Sequence, residues 1–194
     1  MKNLPNILTN LRLASPLYFI IIILIFEDHH VQSLLLFFTF IILSFTDYLD
    51  GYLARKLNIV SNFGKVFDPI SDKILTSSAL LFLSSVNHKI LLPSILIIFR
   101  EFFISGIREF SLIKSKKNVN VSGLSKLKTA MQFIVISALL ALFSIKKELF
   151  LNIKLNIEIL VNFCIFGLWI VTILTIYTGF QYCYKVFKNN SMGL

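Results

Sequence analysis

Residues 31–56 read VQSLLLFFTFIILSFTDYLDGYLARK, in which an apolar run, Val31–Phe45, passes directly into a helix-compatible stretch that carries two aspartates. A helix that spans a bilayer needs about 20 residues, so the apolar part alone is too short. Its polar continuation is tolerated at membrane depth only where it faces protein or water. This stretch therefore predicts a membrane helix whose polar end borders a water-filled cavity.

The same pattern recurs along a chain of 194 residues that is 56% hydrophobic and has a mean hydropathy of +0.80. Soluble domains are about 45–50% apolar, so the excess indicates lipid as the surrounding medium. No linker or repeat divides the chain, which predicts a single domain over residues 1–194. We predict an all-α integral membrane protein, a bundle of six transmembrane helices with a polar cavity on the cytoplasmic side. The other five apolar runs are Leu13–Phe26, Ile74–Val86, Ile90–Phe99, Ala130–Ile145 and Ile157–Tyr177.

The net charge of +9 comes from basic residues that lie between the apolar runs. They do not form the basic patch on a soluble fold that nucleic-acid binding requires, so we expect no nucleic-acid partner. Six spans leave Lys89, Lys146, Lys147 and Lys154 on one side and the other 15 of the 19 basic residues opposite. Because positive residues stay in the cytoplasm, both termini are predicted to be cytoplasmic. The N-terminal segment lacks a small-residue cleavage site and is expected to be retained.

Four aspartates form two pairs on the side that is predicted to be cytoplasmic. Asp47 and Asp50 are three residues apart, and Asp68 and Asp72 are four apart, so each pair shares one helix face. Four carboxylates in one place repel one another unless cations neutralise them. Hard oxygen ligands suit Mg²⁺ or Mn²⁺, and two such ions would grip a diphosphate. The pattern predicts a divalent-metal site.

Other readings of these residues stay open. Gly64 is expected to interrupt the chain, so Asp68 and Pro69 fit the N-cap and first residue of the next helix. Gly51 and Ala54 fit a small-residue packing face between helices. Asp47 and Asp50 would also suit the ion path of a small transporter.

The spacing of the acidic segment resembles the signature of the CDP-alcohol phosphatidyltransferase family. Asp47, two residues, Asp50-Gly51, two residues, and Ala54-Arg55 are followed by eight residues, Gly64, three residues, Asp68, three residues and Asp72. The resemblance implies two Mg²⁺ or Mn²⁺ ions held by Asp47, Asp50, Asp68 and Asp72, with Asp72 also taking the proton from the attacking alcohol. It implies that Gly51, Ala54, Arg55 and Ser61 border the CDP part of the donor.

Motifs outside the signature are similar to the bacterial branch of that family that makes phosphatidylglycerophosphate. The opening segment with Pro5 and Asn6 is similar to a motif near the donor headgroup, and Ser125 departs from the glycine usual in the branch. The resemblance implies transfer of the phosphatidyl group of CDP-diacylglycerol to glycerol 3-phosphate. It also implies a homodimer in the bacterial inner membrane, with the active site on the cytoplasmic face.

An acceptor such as glycerol 3-phosphate brings a dianion that several fixed cations must neutralise. We expect Arg100, Arg108, Lys126 and Lys128 to supply them. The chain has fifteen lysines and only four arginines. All four arginines are expected near the proposed cavity, which favours a role for the guanidinium there. Two alternatives stay open: another acceptor within the family (inositol phosphate, serine or phosphatidylglycerol), or a small cation or proton transporter.

Overall fold

The computed structural model describes the backbone of residues 4–56, 62–115, 123–145 and 154–191. Side chains are described over residues 8–46, 67–111, 123–125, 127–145 and 157–188. All elements in these ranges are helical, which confirms the all-α class. They are α1 (Leu4–Leu13), α2 (Ser15–Ile25), α3 (His29–Lys56), α4 (Asn62–Val86), a 3₁₀ turn (His88–Ile90), α5 (Leu91–Ser115), α6 (Gly123–Ser144) and α7 (Lys154–Ser191).

The polar continuations of two apolar runs are helical, as predicted. α3 runs from His29 through both aspartates to Lys56 without a break, and α5 continues through its arginines to Ser115. Hydroxyls inside α3 donate to carbonyls of the preceding turn, such as Ser33 Oγ to the His29 carbonyl at 2.7 Å. These bonds satisfy polar groups that lipid cannot solvate.

Four helical segments are long and apolar enough to cross a membrane: His29–Thr46, His88–Ser111, Gly123–Ser144 and Ile157–Lys188. The chain is therefore an integral membrane protein. Of the six predicted spans, the first corresponds to α2, which has only 11 residues. The third lies in α4, whose first half carries lysines and aspartates. The six-span count stays a prediction.

The predicted helix start at Asp68 is wrong. α4 begins at Asn62, so Gly64 does not end the preceding segment and Pro69 lies inside the helix. Proline within a helix removes one backbone hydrogen bond. The Asp68 carboxylate accepts a hydrogen bond from Thr9 Oγ1 on α1, 2.7 Å away. The packing of α1 against α4 overrides the local capping signal.

The helices bury an apolar core and also present apolar side chains outward. The core is supplied mainly by α3 to α7, with Phe40, Leu80, Ile97, Leu139 and Leu168 almost fully buried. In the four candidate spans, only 22–33% of the window is buried inside the protein. The outward apolar surface that remains fits contact with acyl chains.

Consecutive long helices run antiparallel, which collects the polar segments at one end. His30 Nδ1 and the Phe143 carbonyl, 2.8 Å apart, join the start of α3 to the end of α6. α6 also packs on α7, α5 packs on α7 and α4, and α1 packs on α4 and α3. The C-terminal halves of α3, α5 and α7 therefore meet the N-terminal halves of α4 and α6. We call this the polar end.

Two adjacent leucines of α4 separate internal packing from lipid contact. Leu80 is fully buried and Leu81 is 61% exposed. We expect Leu80→Ala to lower the free energy of unfolding by about 2–5 kcal/mol because it leaves a cavity, and Leu81→Ala to have a much smaller effect. Reversible unfolding in detergent measures both. Equal losses for the two variants would contradict this packing.

Candidate active site at the polar end

Arg12 of α1 lies between the two aspartates of α4. Its side chain is fully buried; Nη1 donates to Asp72 Oδ1 at 2.9 Å, and Nη2 lies 3.7 Å from Asp68 Oδ1. Thr9, one turn earlier on α1, donates to the same Asp68 oxygen. The carboxylates remain partly open, with side-chain exposures of 44% and 38%. α1 therefore fixes both carboxylates and leaves them accessible.

The chemistry of this pair fits a hard divalent cation. Asp68 and Asp72 place carboxylate oxygens one helical turn apart on α4, and such oxygens are ligands of Mg²⁺ and Mn²⁺. The side chains of Asp47 and Asp50, on α3, lie outside the described ones. Among the side chains that are described, no three His, Cys, Asp or Glu residues cluster as metal ligands. The four-aspartate metal site stays a prediction.

A second group of charges lines a cavity of about 190 Å³ between α4, α5, α6 and α7. Among its lining residues that the structure describes, Glu101 is the one carboxylate against five cations, so the cavity is suited to an anion. Serine, threonine, glutamine and tyrosine side chains add neutral hydrogen-bonding groups to the wall. The five cations are Lys73, Arg100, Arg108, Lys128 and Lys185.

Glu101 holds two of these cations in place. Its Oε1 pairs with Arg100 Nη1 at 3.1 Å and also accepts a hydrogen bond from Lys128 Nζ. Arg100 and Lys128 are 11% and 4% exposed. Arg100 Nη2 also donates to Thr178 Oγ1 on α7 at 3.0 Å. One carboxylate thus ties α5 to α6, and the arginine extends the connection to α7.

The cavity lined by these five cations, called the cationic cavity below, adjoins Asp72. A neighbouring cavity of about 160 Å³ is lined by Asp72, Thr76 and Gln132, and it shares Lys73, Glu101 and Thr129 with the cationic one. An anion among the cations would therefore lie close to the α4 carboxylate.

Lys73 stands at the junction of the two cavities. Burial lowers the pKa of its ammonium below the ordinary value; Glu101 and Asp72 oppose this shift, and Arg108 and Arg100 add to it. Because desolvation is the largest cause, this ammonium gains from a bound anion more than an exposed lysine does.

The structure brings together two sets of residues that the sequence singled out. Asp68 and Asp72 meet at Arg12, and Arg100, Arg108 and Lys128 line the cationic cavity. Ser61 lies outside the described residues, as do the side chains of Pro5, Asn6, Asp47, Asp50, Gly51, Ala54, Arg55 and Lys126.

Sequence reasoning missed the contribution of α7. It ended the last apolar run at Tyr177 and counted Lys185 only as a charge. Thr178, Gln181, Tyr182 and Lys185 all line the cavity. Their spacing of three, four and seven residues is that of one helix face, and this polar stripe at the end of an apolar helix was the available signal. Arg12 was among the four arginines expected near the cavity, and Thr9 lies in the opening segment, but their pairing with the α4 aspartates was not predicted.

Comparison with known proteins gives a consistent result. A model of the CDP-alcohol phosphatidyltransferase family matches residues 2–179. A Rickettsia typhi protein is 40% identical over 183 residues, covering 94% of this chain and 96% of that protein. A Bacillus subtilis protein is 37% identical and covers 95% of each chain. Both carry the name CDP-diacylglycerol–glycerol-3-phosphate 3-phosphatidyltransferase.

The contact between Arg12 and Asp72 predicts measurable coupling. We expect Arg12→Met and Asp72→Asn, in a double-mutant cycle with a chelator present, to give a coupling free energy of about 1 kcal/mol. The value is modest because Asp72 is 38% exposed and water screens the pair. Unfolding in detergent measures it. Glu158→Gln on exposed α7 surface is the control and should be additive with Arg12→Met. Additivity of Arg12→Met with Asp72→Asn would contradict the contact.

Proposed function

This chain belongs to the CDP-alcohol phosphatidyltransferase family, and we propose that it transfers the phosphatidyl group of CDP-diacylglycerol to sn-glycerol 3-phosphate, giving phosphatidylglycerophosphate and CMP. The support is the near full-length similarity to transferases named for that reaction. The observation that carries the proposal is the five-cation cavity that adjoins Asp72. The same similarity disfavours the transporter alternative.

The charge of the cavity favours an acceptor with a phosphate monoester. Such a group is a dianion, which Arg100, Arg108 and Lys128 would bind with charge-assisted hydrogen bonds. Lys126 is proposed as a fourth cation for the same group. Serine has no phosphate, and phosphatidylglycerol has only a diester with one negative charge. Inositol phosphate satisfies the same electrostatics, so the choice of glycerol 3-phosphate rests on the names of the relatives.

We assign Asp72 as the general base. The acceptor hydroxyl oxygen forms a bond to the lipid-side phosphorus of CDP-diacylglycerol, the bond from that phosphorus to CMP breaks, and the hydroxyl proton passes to the Asp72 carboxylate. Arg12 orients this carboxylate through its 2.9 Å hydrogen bond. An acceptor phosphate held by the cationic cavity brings its hydroxyl within reach of Asp72, since the two cavities adjoin.

Two Mg²⁺ or Mn²⁺ ions, when bound, supply positive charge for the diphosphate and for the departing CMP. Asp47, Asp50, Asp68 and Asp72 are the residues proposed to hold them. The donor headgroup is assigned to the α1 and α3 segments, which carry Pro5, Asn6, Gly51, Ala54 and Arg55, together with Ser61.

We further propose that α2 and α4 complete six spans of one domain and that the polar end and both termini lie in the cytoplasm. The support is the excess of basic residues on that side. This orientation would put the site on the face of the bacterial inner membrane where the soluble acceptor is available. A homodimer is proposed from the family resemblance alone.

A panel of labelled acceptors tests the function. Purified protein with CDP-diacylglycerol and Mg²⁺ or Mn²⁺ should convert glycerol 3-phosphate, with little product from inositol phosphate, serine or phosphatidylglycerol. Chelation should abolish turnover, and added divalent metal should restore it. A higher rate with another acceptor would overturn the acceptor assignment, and full activity under chelation would overturn the metal requirement.

Replacement of the base tests the role of Asp72. We expect Asp72→Asn to lower kcat by at least about 100-fold because the amide cannot take the proton, while binding of CDP-diacylglycerol is largely retained. Initial rates and a donor-binding assay measure the two effects. Glu158→Gln, distant from the polar end, should behave as wild type. Turnover near the wild-type rate in Asp72→Asn would refute the base assignment.

A further inference from the structure

Gly179 of α7 lies under the side chain of Arg100. A Cβ atom at this position would stand 2.8 Å from Arg100 Nε and 3.3 Å from its Cγ. Cβ contacts below 3.0 Å essentially do not occur, so no other residue is compatible with this placement of the arginine. The guanidinium therefore rests against the backbone of α7 because position 179 has no side chain.

The other nitrogens of Arg100 have defined partners. Nη1 pairs with Glu101 Oε1 at 3.1 Å, and Nη2 donates to Thr178 Oγ1 at 3.0 Å. The Thr178 hydroxyl lies within hydrogen-bond distance of two carbonyls of its own helix, those of Leu174 at 2.9 Å and Thr175 at 3.0 Å, and its single proton is donated to this pair. Its oxygen is consequently oriented to accept from Arg100.

The third nitrogen, Nε, is buried and has no hydrogen-bond partner among the described residues. Its position is therefore set by the fit against Gly179 and by the bonds of the two terminal nitrogens. The arrangement holds a rigid guanidinium in the wall of the cationic cavity.

We infer that Gly179 and Thr178 are positioning residues, which seat the Arg100 guanidinium so that it binds the phosphate group of the acceptor. The identity of that ligand rests on the proposed function. Glycine inside a helix makes that helix less stable than alanine would, so a glycine at position 179 fits a need for space. Gly167 of the same helix differs, because a Cβ there would meet only Val135 Cγ2 at 3.5 Å, an ordinary packing distance.

A methyl group at position 179 would displace the arginine side chain and leave the helix backbone in place. The three nearest atoms that it would meet beyond its own helix backbone all belong to the Arg100 side chain, which can move into the cavity. That movement separates Nη2 from Thr178 and changes the pairing with Glu101. The α7 backbone keeps its conformation, so the fold should persist while the anion site loses its geometry.

The test measures the Kd for inorganic phosphate in the full-length protein in detergent, together with separate KM values for glycerol 3-phosphate and CDP-diacylglycerol. Gly179→Ala should weaken phosphate binding and raise the acceptor KM by about tenfold, the value of one charge-assisted hydrogen bond, and leave the donor KM unchanged. Gly167→Ala is the matched control and should match wild type. Thr178→Val should resemble Gly179→Ala, and Thr178→Ser should restore binding.

An Arg100→Ala background separates positioning from a general structural effect. If Gly179 acts through Arg100, Gly179→Ala adds no further loss there. An equal loss in that background, an equal rise in the donor KM, or a phosphate Kd within twofold of wild type would overturn the inference, as would wild-type protein that binds no phosphate. Wild-type protein that binds phosphate but does not convert glycerol 3-phosphate would overturn the proposed function alone. The phosphate Kd would still test whether Gly179 and Thr178 position Arg100.

Discussion

The pairing of Glu101 with Arg100 and Lys128 is the interaction on which the polar end depends. An unpaired charge inside a membrane bundle is strongly unfavourable, so each buried ionic group needs a partner. Glu101 satisfies two cations from neighbouring positions on α5 and α6, and Arg100 reaches on to Thr178 of α7. Of these contacts, Glu101–Lys128 ties α5 to α6 and Arg100–Thr178 ties α5 to α7, which holds the helices together around a cavity. The same cluster of charged side chains therefore stabilises the helix packing and lines the proposed anion site.

The balance of charge in this cluster explains why it is suited to an anion. Among the described residues around the cavity, one carboxylate is set against five cations, and an anionic ligand would offset this excess of positive charge. At α4 the arrangement of charges is reversed, because the one buried guanidinium of Arg12 faces two partly exposed carboxylates. Carboxylate oxygens of this kind are ligands for added hard cations. One site is suited to an anion and the other to cations, and the two cavities share lining residues.

Particular elements show how far sequence reasoning reached. The continuity of α3 and α5 was predictable because apolar periodicity and the absence of helix breakers are local properties. The helix start at Asp68 was not, because the carboxylate is bound by Thr9, 59 positions away in the chain. A local capping signal cannot reveal such a competitor. The apolar run Leu13–Phe26 corresponds closely to α2 (Ser15–Ile25), which follows the separate helix α1.

By itself, the sequence determined the medium, the family and most of the charged residues of the site, because hydropathy runs and motif spacing are written along the chain. Only the tertiary structure decided which of those charges meet. Lys128 and Glu101 are 27 positions apart, and Arg100 and Thr178 are 78 apart. Antiparallel packing of α5, α6 and α7 brings them together, and the bare backbone at Gly179 leaves room for the arginine. Contacts between distant segments depend on helix packing, for which a single sequence carries no local pattern.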